Sequence, residues 1–290
     1  MTRARDIANV ISDANLGGTL DVSGAFTSLG IDDNADATAI TIDSSEHVGI
    51  GTTSPDGTLH VHSATAGSVT PQTGADDLVV ENSGNGGISI LTPDANRSAI
   101  VFGHASDNLK MQIRHDGGTS LSQIISDDTL TFNVSGGTER MRIDTNGHIT
   151  MPTQPAFSTY ASVASNLSLN AAYTIAFDSP IYDNNSDFAS NTFTAPVTGK
   201  YQLNLCVRLN QLDDATQYYM IQIATSNRTY QNIHGNSGYD ADVNYMNVNF
   251  SVVADMDAGD TAIAKIDVPS LGTAQVDVDG QTIFSGYLVC

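Results

Sequence analysis

Apolar and polar residues alternate with a period of two along most of the chain from about Thr19 onward. The clearest runs lie in the C-terminal half. Tyr201, Leu203, Leu205, Val207 and Leu209 alternate with Gln202, Asn204, Cys206, Arg208 and Asn210. Met246, Val248, Phe250 and Val252 alternate with Asn247, Asn249 and Ser251. Successive side chains of a strand point to opposite faces, so each run offers one apolar face for burial. The reverse faces carry Asn, Gln and Ser rather than Lys or Glu. Neutral polar groups accept partial burial when hydrogen-bonded, whereas charges resist it. The pattern therefore predicts a sheet face that packs against another subunit. Shorter alternating runs, separated by Gly- and Asp-containing turns, fill residues 74–138 and predict a small all-β module.

Two stretches break the pattern. In residues 3–11 Ile7, Val10 and Ile11 fall at helical spacing and predict a short helix that ends before Gly17-Gly18. Met151-Pro-Thr-Gln-Pro155 is a linker stiffened by two prolines. A repeat lies between them: Ile40-Thr-Ile-Asp-Ser-Ser-Glu-His-Val-Gly-Ile50 matches Met141-Arg-Ile-Asp-Thr-Asn-Gly-His-Ile-Thr-Met151. Each copy reads as strand, polar turn, strand, and Asn146-Gly147 is a strong hairpin signal. The expected organisation is an attachment segment at 1–20, a shaft with the small β module at 21–155, and a jelly-roll head at 156–290. The fold class is all-β.

Composition narrows the function. Eleven Lys and Arg face 32 Asp and Glu, for a net charge of −21, and no Lys or Arg occurs between Asp6 and Asn96. Such a surface repels nucleic-acid phosphate. No run is apolar enough to span a bilayer, and Asp6 and Asp13 interrupt any leader-like segment. The expectation is a virion protein, extracellular after lysis. Charged residues are 15% against about 25% in an average globular protein, with Ser, Thr, Asn and Gly taking up the polar surface. The two cysteines, Cys206 and Cys290, read as free thiols or as a bridge within or between chains.

Two resemblances cover most of the chain. Val48-Gly-Ile-Gly-Thr-Thr-Ser-Pro55 with Leu59-His-Val61 resembles a shaft phrase of tailed-bacteriophage fibre proteins, as does Glu139-Arg-Met-Arg-Ile-Asp144 with Asn146-Gly147. Asp77-Leu-Val-Val-Glu81, Gly87-Ile-Ser-Ile-Leu-Thr-Pro-Asp94 and Ile100-Val-Phe-Gly103 are similar to the middle β module of that group. Many such fibres end in a self-cleaving chaperone domain, and this chain shows none. From near Phe157 the chain resembles the globular head of the first complement component, a jelly roll shared with the tumour-necrosis-factor family. The matching residues are Ile181-Tyr182, Phe188, Phe193-Thr-Ala-Pro-Val-Thr-Gly-Lys-Tyr201, Ala258-Gly-Asp260 and Phe284-Ser-Gly-Tyr-Leu-Val289. This second resemblance implies a ten-stranded jelly roll that assembles as a trimer and recognises ligands without catalysis.

The chemistry the residues offer is sparse. His60 and His62 fall at i and i+2 on one strand face. Around a threefold axis they would give six imidazoles, a cage for a structural iron, nickel or zinc, set against two histidines that merely face the axis or solvent. Asp183-Asn-Asn-Ser-Asp187 lacks the sixth-place Gly and twelfth-place Glu of an EF-hand, since Phe188 and Thr194 stand there. The other acidic clusters read as solvated turns, with calcium at one of them as the alternative. No nucleophile elbow, phosphate loop or CxxC motif is present, so the chain is not expected to be an enzyme and requires no cofactor. Tyr218, Tyr219, Tyr230, Asn232, His234 and Tyr239 are the ligand-contact candidates, because Tyr and Asn suit adaptable surfaces. The tyrosines of that set have a second reading, as part of the head's own core. The expected function is a homotrimeric virion fibre or spike. Its N-terminus meets other virion proteins and its head adheres to a host-surface glycan or protein. Capsid decoration and polysaccharide depolymerisation are the competing readings.

Overall fold

The computed structural model describes residues 39–168, 172–213, 216–235, 241–267 and 275–290. The helix expected at 3–11 lies outside them. Regular structure within them is β throughout.

The first sheet contains β1 (Ile40–Ile42), β2 (Val48–Ile50), β3 (Leu59–His62) and β4 (Leu78–Glu81), in that spatial order. β1 and β2 form an antiparallel hairpin, while β2, β3 and β4 run parallel. A three-stranded sheet follows, with β5 (Arg97–His104), β6 (Asp107–Asp116) and β7 (Leu121–Ser126) in sequence order. The next three strands are β8 (Leu130–Val134), β9 (Thr138–Ile143) and β10 (Ile149–Thr150), with β9 in the centre.

The repeated sequence folds twice into one hairpin. In the first copy Asp43 Oδ1 accepts from the N–H groups of Ser45 and His47, and its own N–H donates to the His47 carbonyl. In the second, Asp144 Oδ1 accepts from Asn146 and His148, and its N–H donates to His148. The fourth turn residue is left-handed in both: Glu46 at φ 66° and Gly147 at φ 83°. Asp at the first place satisfies two turn amides that a hairpin alone would leave unpaired.

The C-terminal part is a sandwich. Its strands are β11 (Ala156–Ala161), β12 (Ala164–Ser168), β13 (Tyr173–Thr174), β14 (Phe177–Asp183), β15 (Phe188–Ala189), β16 (Thr192–Thr194) and β17 (Gly199–Leu212). They continue with β18 (Tyr218–Thr225), β19 (Thr229–Gly235), β20 (Val243–Met256), β21 (Thr261–Asp267), β22 (Gln275–Val278) and β23 (Ile283–Leu288). One layer has the order β11-β23-β17-β20 and the other β16-β21-β18-β19, with the remaining strands extending or bridging these layers. Among those eight strands the layer orders are first-eighth-third-sixth and second-seventh-fourth-fifth. That is the double-sheet order of a jelly roll.

The core sits where the alternation predicts. Tyr201, Leu203, Leu205, Val207 and Leu209 are buried, and their register partners on β20 are Ala254, Val252, Phe250, Val248 and Met246. Phe157 stacks at 5.0 Å on Phe188 and 4.7 Å on Phe193, and meets Phe284 edge-on at 5.1 Å. The Tyr201 hydroxyl donates to the Val197 carbonyl at 2.7 Å, so a large buried ring keeps its polar tip paired. Gly286 permits close packing: a Cβ there would lie 2.7 Å from Leu203 Cδ2 and 2.8 Å from Phe157 Cε1, so those side chains would have to shift.

Contacts divide the chain into two compact units, Met1–Ala99 with His115–Leu121, and Ile100–Arg114 with Ser122–Cys290. The proline linker belongs with the head. Gln154 Nε2 donates to the Leu288 carbonyl at 3.1 Å, and Asn185 Nδ2 donates to the Thr153 carbonyl at 3.1 Å.

Candidate functional site

The first sheet has two chemically distinct faces. Its register aligns Ile40, Ile50, Val61 and Val80 in one row, and Ile42, Val48, Leu59 and Leu78 in the next. All eight are apolar and share one face. Ile42 is 71% exposed and Leu78 50% exposed, while Val48, Leu59 and Val61 are half-buried, so the described chain covers this array only in part. The opposite face carries Thr41, Gly49, His60 and Val79 in one row, and His62 beside Glu81.

That second face gathers the metal-ligating candidates. His60 is 1% exposed, and its Nδ1 accepts from the Asp56 N–H at 3.2 Å. A ring that accepts at Nδ1 carries its hydrogen at Nε2 when neutral. Glu81 Oε2 lies 3.1 Å from that Nε2 but off the N–H line, which leaves Nε2 buried without a hydrogen bond. His62 is the opposite tautomer. Its Nδ1 donates to the Gly51 carbonyl at 3.2 Å, and Nε2 lies 3.8 Å from the same Glu81 oxygen. The two rings stand perpendicular at 5.6 Å between centroids. Glu81 is anchored by its other oxygen, since Oε1 accepts from the Ala66 N–H at 2.6 Å. That bond, with weaker contributions from Thr65, His62 and His60, holds its pKa below the usual glutamate value. Asp56, His60 and Glu81 bring ligating atoms within 4.8 Å of one another. Gly57 lets the Asp56 turn sit close, because a side chain there would overlap the Asp76 carbonyl. An open cleft of about 390 Å³ reaches the cluster, with Asp56, Val79, Glu81 and Asn82 in its walls.

The spacing of His60 and His62 brings them to one face, but His60 is enclosed by its own chain. The sequence reading missed Glu81 and Asp56. Glu81 arrives through parallel pairing of β3 with β4, nineteen positions beyond His62, and no local pattern announces it.

The ligand-contact candidates do not form one exposed surface. Tyr219 is fully buried with its hydroxyl 3.4 Å from the Asp213 carbonyl, and burial pushes its pKa up. It belongs to the core. Tyr230 packs against the core, with the Arg228 guanidinium 6.0 Å above its ring. Asn232 donates to the Asn249 carbonyl on the opposite layer at 3.4 Å, and His234 pairs in register with Tyr219. These residues face inward, because a strand that buries Tyr219 turns its cross-strand partners the same way. Tyr218 alone of the described set points outward, half-buried opposite Gly235. Tyr239 lies outside the described residues.

The outer face of the β11-β23-β17-β20 layer is free of carboxylates across its central rows. The register places Ser158, Ser285, Asn204 and Ser251 in one row, and Tyr160, Ile283, Cys206 and Asn249 in the next. Asn204 Oδ1 accepts from Ser251 Oγ at 2.9 Å and from Gln202 Nε2 at 3.0 Å. In a chain with 32 acidic residues, this face is chemically set apart. Cys206 within it and Cys290 are both free thiols.

No protein-family model and no curated protein matches the chain. Among solved structures, the globular domain of zebrafish complement 1qA protein is 18% identical, with a TM-score of 0.36. The match covers 47% of this chain and 98% of that one. Murine APRIL at pH 8.0 is 13% identical with a TM-score of 0.35, covering 47% of this chain and 99% of its own. The pH 5.0 structure of murine APRIL gives 14% and 0.36 over the same shares.

Proposed function

We propose that this chain is the subunit of a homotrimeric, non-enzymatic fibre or spike of a tailed bacteriophage, with the jelly-roll head as its adhesive end. The observation that carries the assembly is the partly exposed apolar array on the first sheet. Five of its eight aligned aliphatic side chains, Ile40, Ile42, Ile50, Leu78 and Val80, are 40–71% exposed. Leaving them in water costs about 25 cal/mol per Å² of apolar surface, and a closed set of copies removes that cost without open-ended growth. The sheet of β8, β9 and β10 repeats the arrangement. Leu130, Ile143 and Ile149 align in register, and Phe132 opposite Met141 is 45% exposed. The neutral outer face of the head suits the same use. A face lined by Ser, Asn and Gln can be buried against a copy of itself without stranding charge.

The virion setting rests on the shaft-like phrases Val48–Pro55 and Glu139–Asp144. Adhesion rests on the jelly-roll head alone. The structure directs attention away from Tyr219, Tyr230 and Asn232 as contact residues, since their side chains serve the sandwich. Light scattering on the purified full chain is expected to return three times the 30.5 kDa of one chain. A folded single-copy species at micromolar concentration overturns the trimer. Competition by the purified protein against adsorption of the parent virion tests the adhesive role, and unchanged adsorption at saturating protein removes it.

A further inference from the structure

We propose that each chain holds one borderline divalent transition ion, with zinc the best fit, between Glu81, His60 and His62, with Asp56 completing the set. The site is internal to a single chain and differs from an axial cage that would share one ion among three chains.

Four observations converge on it. First, His60 Nε2 is a polar atom with no hydrogen bond on a side chain that is 1% exposed. A buried unpaired ring nitrogen is costly, and an ion at that point removes the cost. Second, the spacings fit. Two ligands bonded to one tetrahedral zinc at about 2.0–2.1 Å lie about 3.3 Å apart. Glu81 Oε2 stands 3.1 Å from His60 Nε2, close to that value, and 3.8 Å from His62 Nε2. The ligating atoms that all lie within 4.8 Å of one another are those of Asp56, His60 and Glu81, so His62 joins them by turning toward Glu81. Third, the ligands are supported from behind. His62 donates its other nitrogen to the Gly51 carbonyl, and Glu81 Oε1 is fixed by the Ala66 N–H. Ligating imidazoles and carboxylates are typically oriented in this way. Fourth, the cleft beside Asp56 and Glu81 supplies an entry path.

Imidazole and carboxylate donors favour zinc and its neighbours over calcium or magnesium, which prefer oxygen alone. One rearrangement accompanies binding. The hydrogen on His60 moves from Nε2 to Nδ1, which gives up its 3.2 Å bond from Asp56. The ring stays neutral and no net proton is released, but the new Nδ1–H faces the Asp56 N–H, and these two donors oppose each other until the Asp56 turn moves. The freed Asp56 turn can then swing its carboxylate toward the ion.

The test uses the full-length protein, stripped with a chelator and then exposed to zinc alone. Elemental analysis after desalting is expected to give one zinc per chain. Competition with a chromogenic chelator is expected to show at least about tenfold weaker binding in Glu81→Gln and in His62→Gln. Both substitutions preserve size and lie on a half-buried face, and circular dichroism confirms that each variant is folded. Cobalt in place of zinc is expected to give the visible absorption of a four-coordinate site, lost in Glu81→Gln. Three outcomes overturn the proposal: no retained zinc, one zinc per three chains with Glu81→Gln unaffected, or equal binding in the folded variants. The second of these assigns the ion to an axial imidazole cage instead. None depends on the adhesive role of the head.

Discussion

At the residue scale, the two copies of the hairpin provide an internal comparison. Asp43 and Asp144 do the same work, and both carboxyls are held below the usual aspartate range. His47 N–H bonding is the leading cause for Asp43, and the His148 side chain is the leading cause for Asp144. The copies differ at the left-handed position, where Gly147 is free to adopt φ 83° and Glu46 is held at φ 66°. A residue with a Cβ pays for that conformation and glycine does not. Glu46→Gly is therefore expected to stabilise the first hairpin by about 0.5–1 kcal/mol net of the entropy that glycine adds to the unfolded chain. Thermal unfolding followed by circular dichroism measures this, and a lower midpoint would contradict it. Gly286 predicts the opposite sign. Its Cβ would drive into Leu203 and Phe157, so Gly286→Ala is expected to destabilise by about 1–3 kcal/mol, as overpacking does. A midpoint equal to that of the unmodified protein would show that the neighbouring side chains can yield.

At the element scale, the partly exposed array makes a sharper demand. Ile42 and Leu78 sit in one row of the first sheet and are exposed in the single chain. If they met only water, Ile42→Asn and Leu78→Asn would change stability by less than about 0.5 kcal/mol. If copies of the chain cover them, each buries an unpaired amide. Light scattering is then expected to fall from three chains toward one at micromolar concentration. An unchanged trimer would mean that this face is not the seam. Which features the sequence made legible follows the same scale. Period-two alternation identifies β17 and β20 because each buries one face along fourteen residues, and it locates their core residues correctly. It also brings His60 and His62 to one face. It is silent on Glu81 and Asp56, which join them through parallel pairing and a turn rather than through spacing. It leaves the tyrosines with two readings. Tyr218 and Tyr219 are adjacent, so one must face the core and one solvent, and composition alone does not say which. Tyr230 and Asn232 then follow the inward face through cross-strand register.

At the scale of the whole molecule, charge opposes assembly. Three copies triple a net charge of −21, while ion pairs that could repay it are few in a chain with 11 Lys and Arg. The bidentate pair of Arg142 with Glu139 at 2.7 and 2.9 Å is the best placed of them, and it is surface-exposed. Salt screens repulsion and attraction alike, over about 10 Å at 0.1 M, so the more numerous repulsive terms decide the sign. Raising salt at neutral pH should therefore stabilise the trimer. Acid acts through two opposed effects. As pH falls from 7 toward the sequence pI of about 4.2, net repulsion declines and stability rises. Asp43, Glu81, Asp144 and Asp279 oppose this further down, because hydrogen bonds in the folded chain hold their pKa values below those of ordinary aspartate and glutamate. A depressed carboxylate contributes stability that is complete above its unfolded pKa and lost as pH falls through the folded one. That loss begins only below about pH 4.5, after most of the repulsion has been relieved. The thermal midpoint at low salt is therefore expected to peak between about pH 4.5 and 6, with the peak flattening as salt is added. A midpoint that rises steadily from pH 5 to 8 at low salt, or that falls on adding salt at pH 7, would show that attractive pairs outweigh the repulsion among the copies.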